Sequence, residues 1–243
     1  MEFSALLGKM LIFVVLMLIG YLLAKRDVIG SAFIRTASNL TLNVFMVGTI
    51  LSSMVSTGAE RDLSNLPEVI FLTFVVIIVG YLVAWLVTRL VKVEPENEAC
   101  FEILMAVSNS MFIALPIAGA LYGTYAIFIV SLSCIPFNLC IYSYGVWRIR
   151  GSKLGNFRVK DIFSIPLIAT LVGLLIVLLK LPMPQICIDL FNSLSGATMP
   201  LSMILIGASL GTVSLLDAFR NPKLALLGAV RLILIPEIGR AHG

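Results

Sequence analysis

The sequence predicts an all-α polytopic transmembrane helical bundle, and three observations lead there. Hydrophobic residues make up 60% of the 243-residue chain and charged residues 12%, with a mean hydropathy of +1.07, whereas about a quarter of an ordinary soluble domain is charged. The apolar residues are gathered into eight runs, each approaching the roughly 20 residues that a helix rising about 1.5 Å per residue needs to cross a hydrocarbon core roughly 30 Å thick. The runs do not alternate: a membrane β-strand reads as about ten residues of alternating apolar and polar character, a pattern absent from residues 71–87.

The first run, residues 3–24, is a membrane helix and not a secretory signal. Its basic residues, Lys25 and Arg26, follow the apolar stretch instead of preceding it, and no small-x-small cleavage site is evident. Residues 37–57 and 67–90 are the second and third spans. The fourth, 99–122, contains Ser108 and Asn109, then Pro116, with Gly119 and Gly123 behind them. The fifth, 125–147, holds Pro136 and Asn138. The longest polar stretch, 148–161 (RIRGSKLGNFRVKD), separates these five from the rest. The sixth span is 162–179, the seventh 188–213 with Pro200 inside it, and the eighth 224–236 with Arg231 about halfway along.

Numbering loops between successive spans, the odd loops and their flanks carry Lys25, Arg26, Arg35, Arg89, Lys92, the basic residues of 148–161, Arg220 and Lys223; the even loops carry only Arg61 and Lys180. Positive charge stays on the cytoplasmic side, so odd loops are inside and the N-terminus is outside, in a cell membrane. A miscounted span would have scrambled this alternation. Sliding the chain against itself so that Gly20 falls on Gly173 also places Leu22 on Leu175, Asn39 on Asn192 and Met46 on Met199. If spans six and seven repeat spans one and two, five spans per copy set the second copy upside down, the inverted-repeat plan of many secondary transporters. The domains are then a first five-helix repeat in 1–147, a cytoplasmic loop at 148–161, a partial second repeat in 162–236 and an atypical tail at 237–243. The full plan has ten spans.

A proline deep in a membrane helix removes a backbone hydrogen bond and clashes with the preceding turn. In hydrocarbon each unpaired backbone group costs several kcal/mol, so such a break is tolerated beside protein or a wet cavity. Ser108, Asn109 and Pro116 therefore mark a candidate midplane site; the competing reading is a proline kink with a small-x-x-x-small contact from Gly119 to Gly123. Asn138 beside Pro136, and the cluster from Ser195 to Pro200 followed by Gly207 and Gly211, can hydrogen-bond either a neighbouring helix or a ligand. Lys9, Glu68, Glu102 and Asp189 lie near span ends, where snorkelling or the interface solvates them. Arg231 differs, because a central arginine costs roughly 2.5 to 3.5 kcal/mol to insert. It requires an anionic or carbonyl partner from the protein or from a substrate, unless it is interfacial.

Other classes find little support. Cys100, Cys134, Cys140 and Cys187 have no Cys-x-x-Cys spacing and read as buried small apolar residues, not as metal ligands or disulfides. The net charge of +4 is scattered among loops without an aromatic-interleaved stripe, so no nucleic-acid partner is expected. The chain has no His-Glu-x-x-His, Walker or Gly-x-Ser-x-Gly motif, and its only histidine is His242; neither an enzyme nor an ATP-driven pump is expected, and no cofactor. No repeated carbonyl loop or charged ring suggests a channel.

At Gly20 to Arg26, Asn39 to Asn43, Ser108 and Asn109 through Pro116, Pro136 to Asn138, Pro200 through Leu210, and Arg231, the chain resembles the auxin efflux carrier family, over nearly its whole length to about Pro236. Their order and spacing carry the likeness more than any one of them. The resemblance implies a ten-helix inverted repeat in which the fourth and ninth helices break at prolines and cross near the midplane to form the substrate site, Pro116 being the first crossover proline. Two departures stand out. Val47 occupies a position where similar proteins usually have proline, and residues 237–243 are polar where such proteins continue with an apolar helix, as if read through into foreign sequence.

The expectation is a permease that moves small organic anions, dicarboxylates or auxin-like carboxylates, by alternating access. Asn109, Pro116, Asn138, Ser108 and Asn43 are the candidate substrate-binding residues, with Arg231 a counter-charge for a carboxylate. A proton or sodium is the candidate coupling ion and a homodimer the candidate assembly in the lipid bilayer. A sodium-coupled symporter of the bile-acid type, and a non-transporting membrane sensor or assembly subunit, are the alternatives.

Overall fold

The computed structural model describes residues 3–58, 66–91, 95–106, 113–145, 148 and 164–213. Among these, all regular structure is helical: α1 (Phe3–Lys25), α2 (Ser31–Leu40), a π turn (Thr41–Phe45), α3 (Met46–Gly58), α4 (Leu66–Val91), α5 (Pro95–Ala106), α6 (Leu115–Tyr122), α7 (Thr124–Cys140), a second π turn (Ile141–Gly145), α8 (Ile165–Leu178) and α9 (Gln185–Thr212). The all-α membrane class follows directly.

Four stretches among the described residues are long and apolar enough to cross a membrane: Leu7–Lys25, Ser31–Ser56, Leu66–Val91 and Gln185–Thr212. α7 and α8 are shorter apolar helices. One expectation needs correction. The second span starts earlier than residue 37, because α2, the π turn and α3 follow one another without a break. The fourth expected span includes α5, of 12 residues, and α6, of 8; residues 107–112 between them lie outside the described residues. The eighth expected span, 224–236, lies outside the described residues.

The chain divides into two compact units, one of Met1–Leu63, Asn109–Cys134 and Ile165–Ser214, the other of Ser64–Ser108, Ile135–Ser164 and Leu215–Gly243. In the first, α1 packs along α9, and α3 packs on both α9 and α8. Burying apolar area against protein gains little when the alternative is lipid, so close backbone approach must supply the packing. Glycine makes that approach: a methyl group added at Gly20 would collide with the Ile204 carbonyl, and one at Gly207 with the Met17 carbonyl. The opposite face of α1 presents Leu11, Ile12, Val14, Val15 and Leu18, all 47–64% exposed, as a lipid-facing surface should.

A regularity runs through this unit. Gly20 of α1 faces Ile204 of α9; Gly173 of α8 faces Met54 of α3 most closely and Leu51 beside it, and the pairs that correspond are Gly20 with Ile204 and Gly173 with Leu51. Helices α1 and α8 end in the same kind of turn. In one, Asp27 N–H donates to the Ala24 carbonyl (3.1 Å) and Val28 N–H to that of Leu23 (3.0 Å); in the other, Lys180 N–H donates to Val177 (3.1 Å) and Leu181 N–H to Ile176 (3.1 Å). This is the Schellman helix end, whose left-handed residue is usually glycine; here it is Asp27 at φ 56° and Lys180 at φ 49°. Each residue in these pairs maps onto its counterpart by the 153 residues that separate Phe45 from Thr198, which are themselves hydrogen-bonded.

In the second unit α4 packs against α5, and α5 against the second π turn. Gly145 in that turn faces Tyr81 and Ile103, and Tyr81 meets the edge of Tyr144 with ring centroids 4.8 Å apart.

Candidate functional site

Among the described residues, two clusters of buried polar side chains stand out, one in each unit. In the first unit a seam runs between α3 and α9. Thr198 Oγ1 lies 3.0 Å from the Phe45 carbonyl and 2.7 Å from Thr49 Oγ1, and Ser52 Oγ donates to Asn192 Oδ1 at 2.6 Å. Thr49 and Thr198 are almost completely buried. Ser202, one turn beyond Thr198, is also fully buried, and among the described residues its hydroxyl has no hydrogen-bond partner. The π turn Thr41–Phe45 lies at the head of this seam. Its extra residue per turn shifts the register of the rod, and such π-bulges recur at functional sites.

The second unit contains a charge cluster. Glu98 and Glu102 stand one turn apart on α5 and so share a face. Arg148 reaches both: its Nε donates to Glu102 Oε2 at 2.7 Å, and its Nη2 to Glu102 Oε1 at 2.8 Å and Glu98 Oε2 at 2.9 Å. The fork on Glu102 is bidentate, the strongest form of this pairing. Thr88 of α4 adds a long 3.4 Å contact to Glu102 Oε1. Hydrogen bonding to Glu102, foremost, and to Glu98 pushes the guanidinium pKa above its ordinary value, outweighing burial.

Glu102 has no exposed surface, which corrects the expectation that it is solvated at a span end. A buried carboxylate is retained only when paired, and the partner lies 46 residues away, beyond any local pattern. Lys9 departs from expectation in the same way: its Nζ donates to the Ala120 carbonyl of α6. Cys100 is exposed, not buried, while Cys134 is buried.

The expected binding residues are distributed as follows. Asn43 lies in the π turn with its side chain exposed. Pro116 is buried and is the second residue of α6. Ala114, before α6, already has helical backbone, φ -69° and ψ -39°, and residues 107–112 lie outside the described residues. Asn138 is 7% exposed in the second unit and accepts a hydrogen bond from Ser164 Oγ at 3.0 Å. Ser108, Asn109 and Arg231 fall outside the described residues. Sequence reasoning passed over Arg148 and Glu102; the available signal was the Glu98 and Glu102 spacing at the end of an apolar segment.

A family model described as a membrane transport protein matches residues 5–241 of the chain. An uncharacterized transporter of Methanocaldococcus jannaschii is 26% identical over 220 residues, an alignment that covers 84% of this chain and 69% of that protein.

Proposed function

The chain belongs to the membrane transport protein family, and from that premise we propose that it is a secondary transporter moving small organic anions, dicarboxylates or auxin-like carboxylates, by alternating access. The observation that carries the reading is the exchange of contacts across 153 residues. Gly20 against Ile204 has a counterpart in Gly173 against Leu51, beside the closer Met54, and the helix end at Asp27 has its counterpart at Lys180. Two copies that pack on each other reciprocally are what an inverted-repeat carrier requires, and such carriers hold substrate near the midplane on irregular backbone.

In this reading Asn43, Ser108, Asn109, Pro116 and Asn138 line the path of the substrate, and Arg231 balances its carboxylate. The exposed amide of Asn43 on a π turn and the polar character of Asn138 inside an apolar helix support those two assignments. The repeats extend to ten helices in a cell membrane, with the N-terminus outside, a homodimer as the assembly and a proton or sodium as the coupling ion.

The test is counterflow. Proteoliposomes carrying the protein expressed from its source DNA are loaded with unlabelled malonate or indole acetate and given the labelled compound outside. Saturable accumulation above protein-free vesicles is expected, reduced by Asn138→Ala; accumulation no greater than in empty vesicles for every carboxylate tried would refute the reading. Titrating sodium and pH separately identifies the coupling ion.

A further inference from the structure

A cavity of about 350 Å³ lies in the first unit at the end of α8, toward the lower limit of small-ligand pockets, about 300 to 1,000 Å³. Met54, Ile176, Leu181, Met183 and Ile188 give it apolar walls, and Lys180 is the cation among its lining residues. The Schellman turn fixes where that lysine stands, since its own N–H and that of Leu181 are both tied back to α8. Among the described residues no carboxylate pairs with its ammonium group; Asp189 of α9 is engaged by Gln185 Nε2 at 2.9 Å.

The turn does not itself call for a cation. The same turn at the end of α1 carries Asp27, so the lysine at the cavity is a separate choice. The charge asymmetry does not call for it either, because Lys180 and Arg61 are the two basic residues of the even loops, away from the side where positive charge is retained.

The surroundings specify what the cation meets. Leu178, Leu179, Leu181 and Ile186 around this end are 56%, 58%, 48% and 77% exposed, an apolar collar that belongs in a bilayer and not in water. We propose that the cavity holds part of an acyl chain of an anionic phospholipid whose headgroup phosphate pairs with Lys180, a lipid site separate from the substrate path. An apolar pocket accepts a chain, and a lysine at the interface snorkels to the phosphate plane. One basic residue near the headgroups is expected to favour anionic over zwitterionic lipid by about fivefold.

Native mass spectrometry of the intact protein in detergent, titrated with dioleoyl phosphatidylglycerol or dioleoyl phosphatidylcholine, tests this. The expected result is about fivefold tighter binding of phosphatidylglycerol, a preference lost in Lys180→Asn and kept in Lys180→Arg. Asparagine tolerates the left-handed backbone, and an unchanged melting temperature verifies the fold. Val55 also lines the cavity, and Val55→Phe, which fills it, weakens both lipids. Equal binding of the two lipids by the parent, or a preference that survives Lys180→Asn, overturns the proposal. So does octanoate binding that depends on Lys180 without any phosphatidylglycerol preference, because the site would then take a free carboxylate and not a lipid.

Discussion

Arg148→Met is expected to be among the most damaging single changes outside the helix contacts. Arg148 makes three hydrogen bonds, two to Glu102 and one to Glu98, and Glu102 has no exposed surface. Removing one partner of a buried pair leaves an uncompensated charge, at a cost of about 3 to 5 kcal/mol. Methionine keeps most of the arginine volume, so little of that cost comes from a cavity. At about 2 to 4 °C per kcal/mol for a chain of this size, the melting temperature should fall by on the order of 10 °C. Glu102→Gln alone should cost less, because a neutral amide can still accept from the guanidinium. The double variant Arg148→Met with Glu102→Gln should recover much of the loss, since nothing charged is then stranded. Tryptophan fluorescence in detergent follows the change, with Trp85 on α4 of the same unit as a reporter. A single variant melting within about 2 °C of the parent, or a double variant as unstable as Arg148→Met, would show that Glu102 is not a buried charge dependent on this arginine.

Two shorter predictions address the seam and the topology. With the native cysteines replaced, Thr49→Cys with Thr198→Cys should form a disulfide on mild oxidation, because the two hydroxyl oxygens are 2.7 Å apart; thiols that stay free on denaturing gels would place the seam elsewhere. In intact cells of the cysteine-free protein, Lys180→Cys should react with a membrane-impermeant maleimide while Asp27→Cys reacts after permeabilisation, and the opposite order would invert the proposed orientation.

The hydropathy of the chain located α1, α4, α8 and α9 to within a few residues, because a lipid-facing helix must be apolar along its length whatever it packs against. The sequence also held the 153-residue match of Gly20 with Gly173, and both glycines lie where an added methyl group would collide with a neighbouring helix. What it did not carry were features that depend on a partner distant in sequence or on local hydrogen-bond register. The spacing of Glu98 and Glu102 hinted at a shared face, but nothing near them in sequence announced Arg148. The π turn at Asn43 left no mark at all, for the residues TLNVF are compatible with an ordinary α-helix.

That π turn has a consequence for Val47, where the family resemblance leads one to expect proline. The offset between Phe45 and Thr198 maps Val47 onto Pro200, which sits inside the unbroken helix α9. Proline in the middle of a helix ordinarily costs about 3 kcal/mol, through a lost hydrogen bond and a clash with the carbonyl four residues earlier. For Val47 that carbonyl belongs to Asn43, within a π turn whose hydrogen bonds already skip an additional residue. Both terms should therefore shrink, and Val47→Pro should destabilise by about 1 kcal/mol or less, against about 3 kcal/mol for Ile50→Pro one turn further on in regular helix. Thermal unfolding of the two variants side by side decides it. If Val47→Pro melts as low as Ile50→Pro, the π turn supplies no slack, and the proline expected from the resemblance must be accommodated by a different backbone in the second helix.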